Sequence, residues 1–234
     1  MDLRNAKVLV TGGSSGIGYA TARALLEAGA QVAITGRDET KLHAAAKALK
    51  ALPIRADVSD PRDVQRMVEE TAKAFGAMNV LINNAGIGSF APLVDLDLAD
   101  FRRVMDTNVF GAMLAGQAAA RHFISVGQGG NIVNIASTAA QRGFANGTAY
   151  TASKFALAAM TECWRAELRA HDIRVMQVNP SEVVTEFQSR MGRQQVVNET
   201  KLRAQEIAHA IKAMLAMDDR GFIPELTVWA TNPK

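Results

Sequence analysis

A single cysteine, Cys163, is present in 234 residues. No intrachain disulfide can form, and a reducing cytoplasm is the expected setting. The four histidines, His43, His122, His171 and His209, are scattered, and none lies within a helical turn of another. That spacing argues against a dedicated metal site. No stretch approaches the ~20 apolar residues a membrane span requires. The early apolar run "KVLVT" is ended by glycines too soon to serve as a signal segment. Lys and Arg are dispersed and the formal charge is only +3, so nucleic acid is not an expected partner. No Pro/Gly/Ser-rich linker divides the chain, and no internal repeat is visible.

What is present is alternation. Short apolar segments at 7–11, 31–36, 52–58, 79–86, 131–137, 173–180 and 224–230 read as buried strands. Between them, helical spacing appears at 18–30, 38–49, 60–76, 97–126, 148–170 and 202–216. The first helix should stop at Gly29, and the third should start with Asp60 as N-cap and Pro61 in its first turn. Residues 182–201 are polar without a clear strand pattern and read as a loop or partial helix over a site, with Phe187, Met191 and Val196 as a partly apolar lid. Strands alternating with helices over one length imply a parallel sheet covered on both faces. Such sheets bind ligands beyond the carboxyl ends of their strands.

The segment Thr11–Gly18, "TGGSSGIG", sits where the first strand hands over to the first helix. Glycines there let backbone approach a pyrophosphate, and the helix N-terminus offers unpaired N–H groups. The spacing is GxxxGxG rather than GxGxxG, and no Lys-Ser/Thr follows, which excludes a Walker A loop. A carboxylate at the end of the second strand would favour NAD through the ribose 2′-hydroxyl. Here the strand ends Thr35-Gly36-Arg37, with a forked donor suited to a phosphate, so NADP(H) is expected over NAD(H). Asp38 follows and could compete.

Tyr150 and Lys154 stand four positions apart in "TAYTASKFAL". Alone, such a pair is ordinary for a helix face. With Asn108, Ser137 and the glycine segment, however, the chain resembles the short-chain dehydrogenases/reductases from about residue 6 to its end. Asn108, Ser137, Tyr150 and Lys154 are similar in order and spacing to that family's catalytic tetrad. Gly12, Ser14, Ser15, Gly16, Ile17 and Gly18 resemble its cofactor loop, and Asp57 and Val58 the pair bordering adenine. Asn84, Ala85 and Gly86, in "NNAG", resemble the turn after its fourth strand. "NPSEVVTEF" (179–187) resembles the segment that holds the nicotinamide carboxamide, through Pro180, Val183 and Thr185. The family usually has glycine where this chain has Ser181, which leaves the substrate pocket harder to read.

The resemblance implies an α/β fold. It would be a single Rossmann-type doubly wound parallel sheet of about seven strands with helices on both faces. Residues 1–234 would form one dinucleotide-binding and catalytic domain, with 182–201 as a substrate-loop segment. The implied activity is an NADPH-dependent ketone reductase, reversible as an alcohol dehydrogenase, similar to bacterial members named 3-oxoacyl-acyl-carrier-protein reductases. A ketone that gains hydride needs a proton. Tyr150 can give it, and a nearby Lys154 ammonium should pull the phenol pKa of ~10 downward. Lys154 is also implied to hold the nicotinamide ribose, Ser137 to polarise the carbonyl, and Asn108 to hold a relay water. Other readings of these residues are a capping serine and an asparagine that is exposed or bonded back to its own helix.

A homo-oligomer, tetramer or dimer, built on helices near 100–125 and 150–170 is implied as well. No metal and no membrane are expected as partners. Two rival functions use the same fold: an NADP(H)-binding regulator without turnover, and a dehydratase or epimerase. Cys163 is expected as a packed small hydrophobe, Trp164 and Trp229 as core or interface, and Asn83 and Asn84 as backbone ties.

Overall fold

The computed structural model describes residues 1–185 and 200–232. The elements run β1 (Lys7–Val10), α1 (Gly16–Glu27), β2 (Gln31–Gly36), α2 (Glu39–Leu49), β3 (Leu52–Arg55), α3 (Pro61–Phe75) and β4 (Val80–Asn83). They continue with α4 (Leu98–Met105), α5 (Gly111–Val126), β5 (Gly130–Ile135), α6 (Thr148–Leu168), β6 (Ile173–Pro180), β7 (Val183–Val184), β8 (Leu202–Arg203), α7 (Ala204–Ala216) and β9 (Glu225–Val228). Seven strands form one sheet in the order β3-β2-β1-β4-β5-β6-β9, with every pair parallel. The order reverses between β1 and β4, which opens a crevice at their carboxyl ends.

The strand alternation divides the core into two layers. Val8, Val10, Val32, Ile34, Val80 and Ile82 point to one face, where α1, α2 and α7 contribute Leu25, Leu42 and Ile207. Leu9, Ala33 and Leu81 point to the other, against Met67 of α3 and Phe123 of α5. Each such fully buried aliphatic side chain stabilises the fold by about 1.5–3 kcal/mol. With both faces covered, no strand can show a polar stripe, hence the continuous apolar runs in the sequence.

Helix boundaries follow local chemistry. Asp60 Oδ1 accepts from the Arg62 N–H at 2.8 Å, with Pro61 opening α3. At the end of α1, Ala30 N–H reaches the Leu25 carbonyl at 3.0 Å and Gly29 N–H the Leu26 carbonyl at 2.9 Å. Gly29 has φ +92° in this Schellman turn. The first strand pattern is matched closely, but β3 stops at Arg55, and 56–58 leave the sheet toward the crevice.

The helical region expected over 97–126 is met from Leu98 to Val126, with one π turn at Asp106–Phe110 between α4 and α5. One other expectation is corrected. The segment 182–201 does contain strand: Val183–Val184 pairs with Leu202–Arg203, so α7 begins at Ala204 rather than 202. The lid residues Phe187, Met191 and Val196 lie outside the described residues.

Candidate active site

The loops after β1 and β4 are locked together at the reversal point. Thr11 Oγ1 accepts from the backbone N–H of Asn84 and of Ala85, both at 3.0 Å. Asn84 Nδ2 returns hydrogen bonds to the carbonyls of Thr11 at 2.9 Å and Gly12 at 3.1 Å. This cross-tie needs glycine. Gly12 has φ +64°, and a Cβ on Gly18 would sit 2.5 Å from both the Gly12 carbonyl oxygen and Asn84 Nδ2. Asn83 Nδ2 donates to the Ala112 carbonyl at 2.9 Å, so both asparagines tie backbone, as the sequence suggested.

A cleft of about 750 Å³ opens over these loops. On the dinucleotide side it is lined by Gly12, Ser14, Ser15, Gly16 and Ile17, by Arg37 after β2, and by Asp57 and Val58 after β3. Asn84, Ala85 and Gly86 form the floor, and Pro180, Val183 and Thr185 reach it from the end of β6. Gly18 lines nothing; its part is the close packing described above. Ser15 stands at the N-cap of α1 without a side-chain cap, so the first N–H groups of that helix are left to a ligand. A glycine cradle, an uncapped helix N-terminus and a flanking Arg37 fit the pyrophosphate and ribose of a dinucleotide.

At the other end of the cleft lie Ser137, Tyr150 and Lys154. Four residues on α6 return to the same face, and Lys154 Nζ lies 5.7 Å from the Tyr150 ring centroid. The Lys154 ammonium donates to the Ile135 carbonyl at 2.8 Å. Ser137 is hydrogen-bonded to the Tyr150 phenol. It also caps the short turn after β5, accepting from the Ala139 N–H at 3.1 Å. The capping and functional readings of Ser137 therefore coexist.

The lowering of the phenol pKa expected from Lys154 is not met. Burial pushes the Tyr150 phenol above its ordinary value, and the Ser137 hydrogen bond opposes that only in part. Burial instead lowers Lys154, to about 8. Both groups share one poorly solvated wall, and desolvation disfavours the charged form of each. Asn108 is buried on the π turn behind the cleft rather than lining it. It is neither exposed nor bonded to its own helix; its side chain bonds to Ile87 and Ser153.

The sequence reading missed the rest of the wall. Phe90 lies 5.5 Å from the Tyr150 ring and 6.0 Å from Phe144, centroid to centroid. Arg142 lines the same end, its guanidinium 5.6 Å from the Trp229 ring. These residues sit in irregular loops, where periodicity carries no information; isolated aromatics after two strand ends were the available signal. One packing expectation also changes: Cys163 is exposed. Trp164 packs onto Gly116 and the second core layer, whereas Trp229 is 54 % exposed. Among the described residues no cluster of metal ligands occurs and no helix is long and apolar enough to cross a membrane.

A family model described as short chain dehydrogenase matches residues 6–196. The chain belongs to the short-chain dehydrogenases. A member from Sinomonas cyclohexanicum, named cis-4-hydroxycyclohexanecarboxylate dehydrogenase, is 36% identical over 228 residues, covering 92% of this chain and 90% of the relative. A crystal structure of a short-chain type dehydrogenase/reductase from Mycobacterium marinum matches with a TM-score of 0.88 at 32% identity, over 99% of this chain and 98% of that one. The 3-ketoacyl-(acyl-carrier-protein) reductase from Brucella melitensis, complexed with NADH, matches with a TM-score of 0.88 at 28% identity, over 96% of each chain. As a short-chain dehydrogenase, the protein is an oxidoreductase acting on alcohol or carbonyl substrates with NAD(P)(H).

Proposed function

We propose that this short-chain dehydrogenase reduces a ketone to a secondary alcohol, reversibly, with NADPH preferred over NADH. The observation that carries the reading is the juxtaposition of three groups on one cleft wall: the Tyr150 phenol, the Ser137 hydroxyl bonded to it, and the Lys154 ammonium over its ring. When bound, the nicotinamide supplies or accepts the hydride. The chain's own residues handle the oxygen. Ser137 donates to the carbonyl oxygen and stabilises the charge that develops there. The Tyr150 phenol transfers its proton to the same oxygen, and in the reverse direction accepts it. The Lys154 ammonium stabilises the negative charge left on the phenol oxygen after proton transfer and offers its further N–H donors to the ribose.

Two features support the preference for a 2′-phosphate. Asp38, the acid that could have read a 2′-hydroxyl, is turned into the N-cap of α2, accepting from the Lys41 N–H at 3.0 Å. Arg37 is 57% exposed at the cleft, its contact with Asp57 is a loose 3.6 Å, and the Asp57 carboxylate is also held by Ser59. Exposed Phe110, Ile124 and Phe155 on the α5–α6 side support a homo-oligomer, dimer or tetramer. A free cysteine in place of disulfides supports a reducing cytoplasm.

The test is incubation of the purified chain with NADPH or NADH and a panel of ketones, following nicotinamide absorbance and product. Consumption of NADPH matched by alcohol formation supports the reading. Tight cofactor binding with no consumption on any substrate would favour a regulator. Conversion without net redox would favour dehydration or epimerisation.

A further inference from the structure

Five charged side chains line the cleft among the described residues, and four of them have a partner for their charge or polarity. Arg37 faces Asp57. Glu182 pairs with Lys201 at 2.7 Å. Lys154 donates to the Ile135 carbonyl. Arg142 pairs with no carboxylate among the described residues, although it lines the cleft five positions after Ser137. Among the described residues it lies over the Trp229 ring, which holds the guanidinium without neutralising it.

The neighbouring acid is withheld from Arg142. Glu225 Oε1 accepts instead from the side-chain amides of Asn179 and Gln141. Gln141, next to Arg142 in the chain, is thereby turned toward β9. Across the same end of the cleft stand Phe90 and Phe144, stacked at 6.0 Å and continuous with Tyr150. An apolar wall with one forked cation suits a flat hydrocarbon body that bears an anionic oxygen group.

We infer that the substrate is a keto acid, or the corresponding hydroxy acid, whose carboxylate is set apart from the reacting carbonyl and held by Arg142, while Phe90 and Phe144 cover its ring or chain. The inference rests on the ketone-reductase reading for the carbonyl end. Arg142 is here a specificity residue: it holds the end of the substrate that does not react.

The test uses acetylbenzoate and oxocyclohexanecarboxylate isomers, each beside its methyl ester. Binding to the NADP+-loaded chain is read by tryptophan fluorescence, since Trp229 lies under the guanidinium, and turnover is read separately. The acid is expected to bind at least ~10-fold tighter than its ester, with that preference collapsing in Arg142→Gln and partly kept in Arg142→Lys, in line with charge-assisted hydrogen bonds. Equal affinity for acid and ester, or an acid preference unchanged in Arg142→Gln, overturns the inference. Selective binding of the acids without any turnover would leave Arg142's role standing and overturn the ketone-reductase reading instead.

Discussion

The Asn108 carboxamide and the Ile87 peptide exchange two hydrogen bonds: Oδ1 accepts from the Ile87 N–H and Nδ2 donates to the Ile87 carbonyl, each at 2.8 Å. The second Nδ2 proton goes to Ser153 Oγ at 2.9 Å, and Ser153 in turn donates to the Tyr150 carbonyl at 2.7 Å. A polar chain thus runs from the loop after β4 to the backbone that carries the phenol. Both Nδ2 protons are engaged with protein, and we propose that the side chain positions the loop after β4 against the helix that carries the phenol.

Asn108→Ala should leave the half-buried Ile87 N–H and carbonyl without their side-chain partner. A loss of about 1–3 kcal/mol is expected, read from the urea midpoint. Turnover should fall while cofactor affinity changes little. A variant with unaltered stability and rate would remove Asn108 from the proposed site.

Tyr150→Phe keeps the ring against Phe90 and removes the transferable proton. Turnover should drop by about 10²–10⁴-fold, with NADPH affinity close to that of the parent. Retained activity would refute the acid assignment.

Arg37→Asp replaces the phosphate-seeking fork with a carboxylate suited to a 2′-hydroxyl. NADPH affinity should weaken by roughly 10- to 100-fold, as for loss of a charge-assisted hydrogen bond, and NADH affinity should weaken far less or improve. Titration of both nicotinamides by fluorescence checks this, and equal losses on both would reject the 2′-phosphate role.

Lys154 predicts a specific pH dependence. Its folded pKa of about 8 lies below the ordinary 10.5, so between those values the unfolded chain binds more protons than the folded one. Stability conferred by this position therefore rises with pH across that window, and the penalty for burying the ammonium is fully present below 8. The raised Tyr150 pKa acts oppositely, lowering stability only above its ordinary 10.0. Urea midpoints of the parent relative to Lys154→Met should therefore climb between pH 8 and 10. The full effect is at most about 3 kcal/mol. A flat difference would mean that Lys154 is better solvated than its burial implies.

The sheet and its helices were legible because their signals are local. Apolar runs such as "KVLV", and the Asp60-Pro61 and Gly29 punctuation, need only their own neighbours to act. The helical run 97–126 was legible too, but its π turn at Asn108 was not, because the partners Ile87 and Ser153 are distant in sequence. The strand Val183–Val184 was missed for the same reason: two residues have no periodicity, and only pairing with Leu202–Arg203 makes them a strand.

The sequence by itself determined the order of strands and helices, the glycine turn, and the Tyr150–Lys154 spacing, because each depends on contacts within a few residues. Only the tertiary structure decided how those groups ionise and what else faces them. Burial on a shared wall moves Tyr150 up and Lys154 down, and loops from separate strand ends bring Phe90, Phe144 and Arg142 together. Solvation and cleft walls are set by distant segments folding over one another, which no short window of sequence contains.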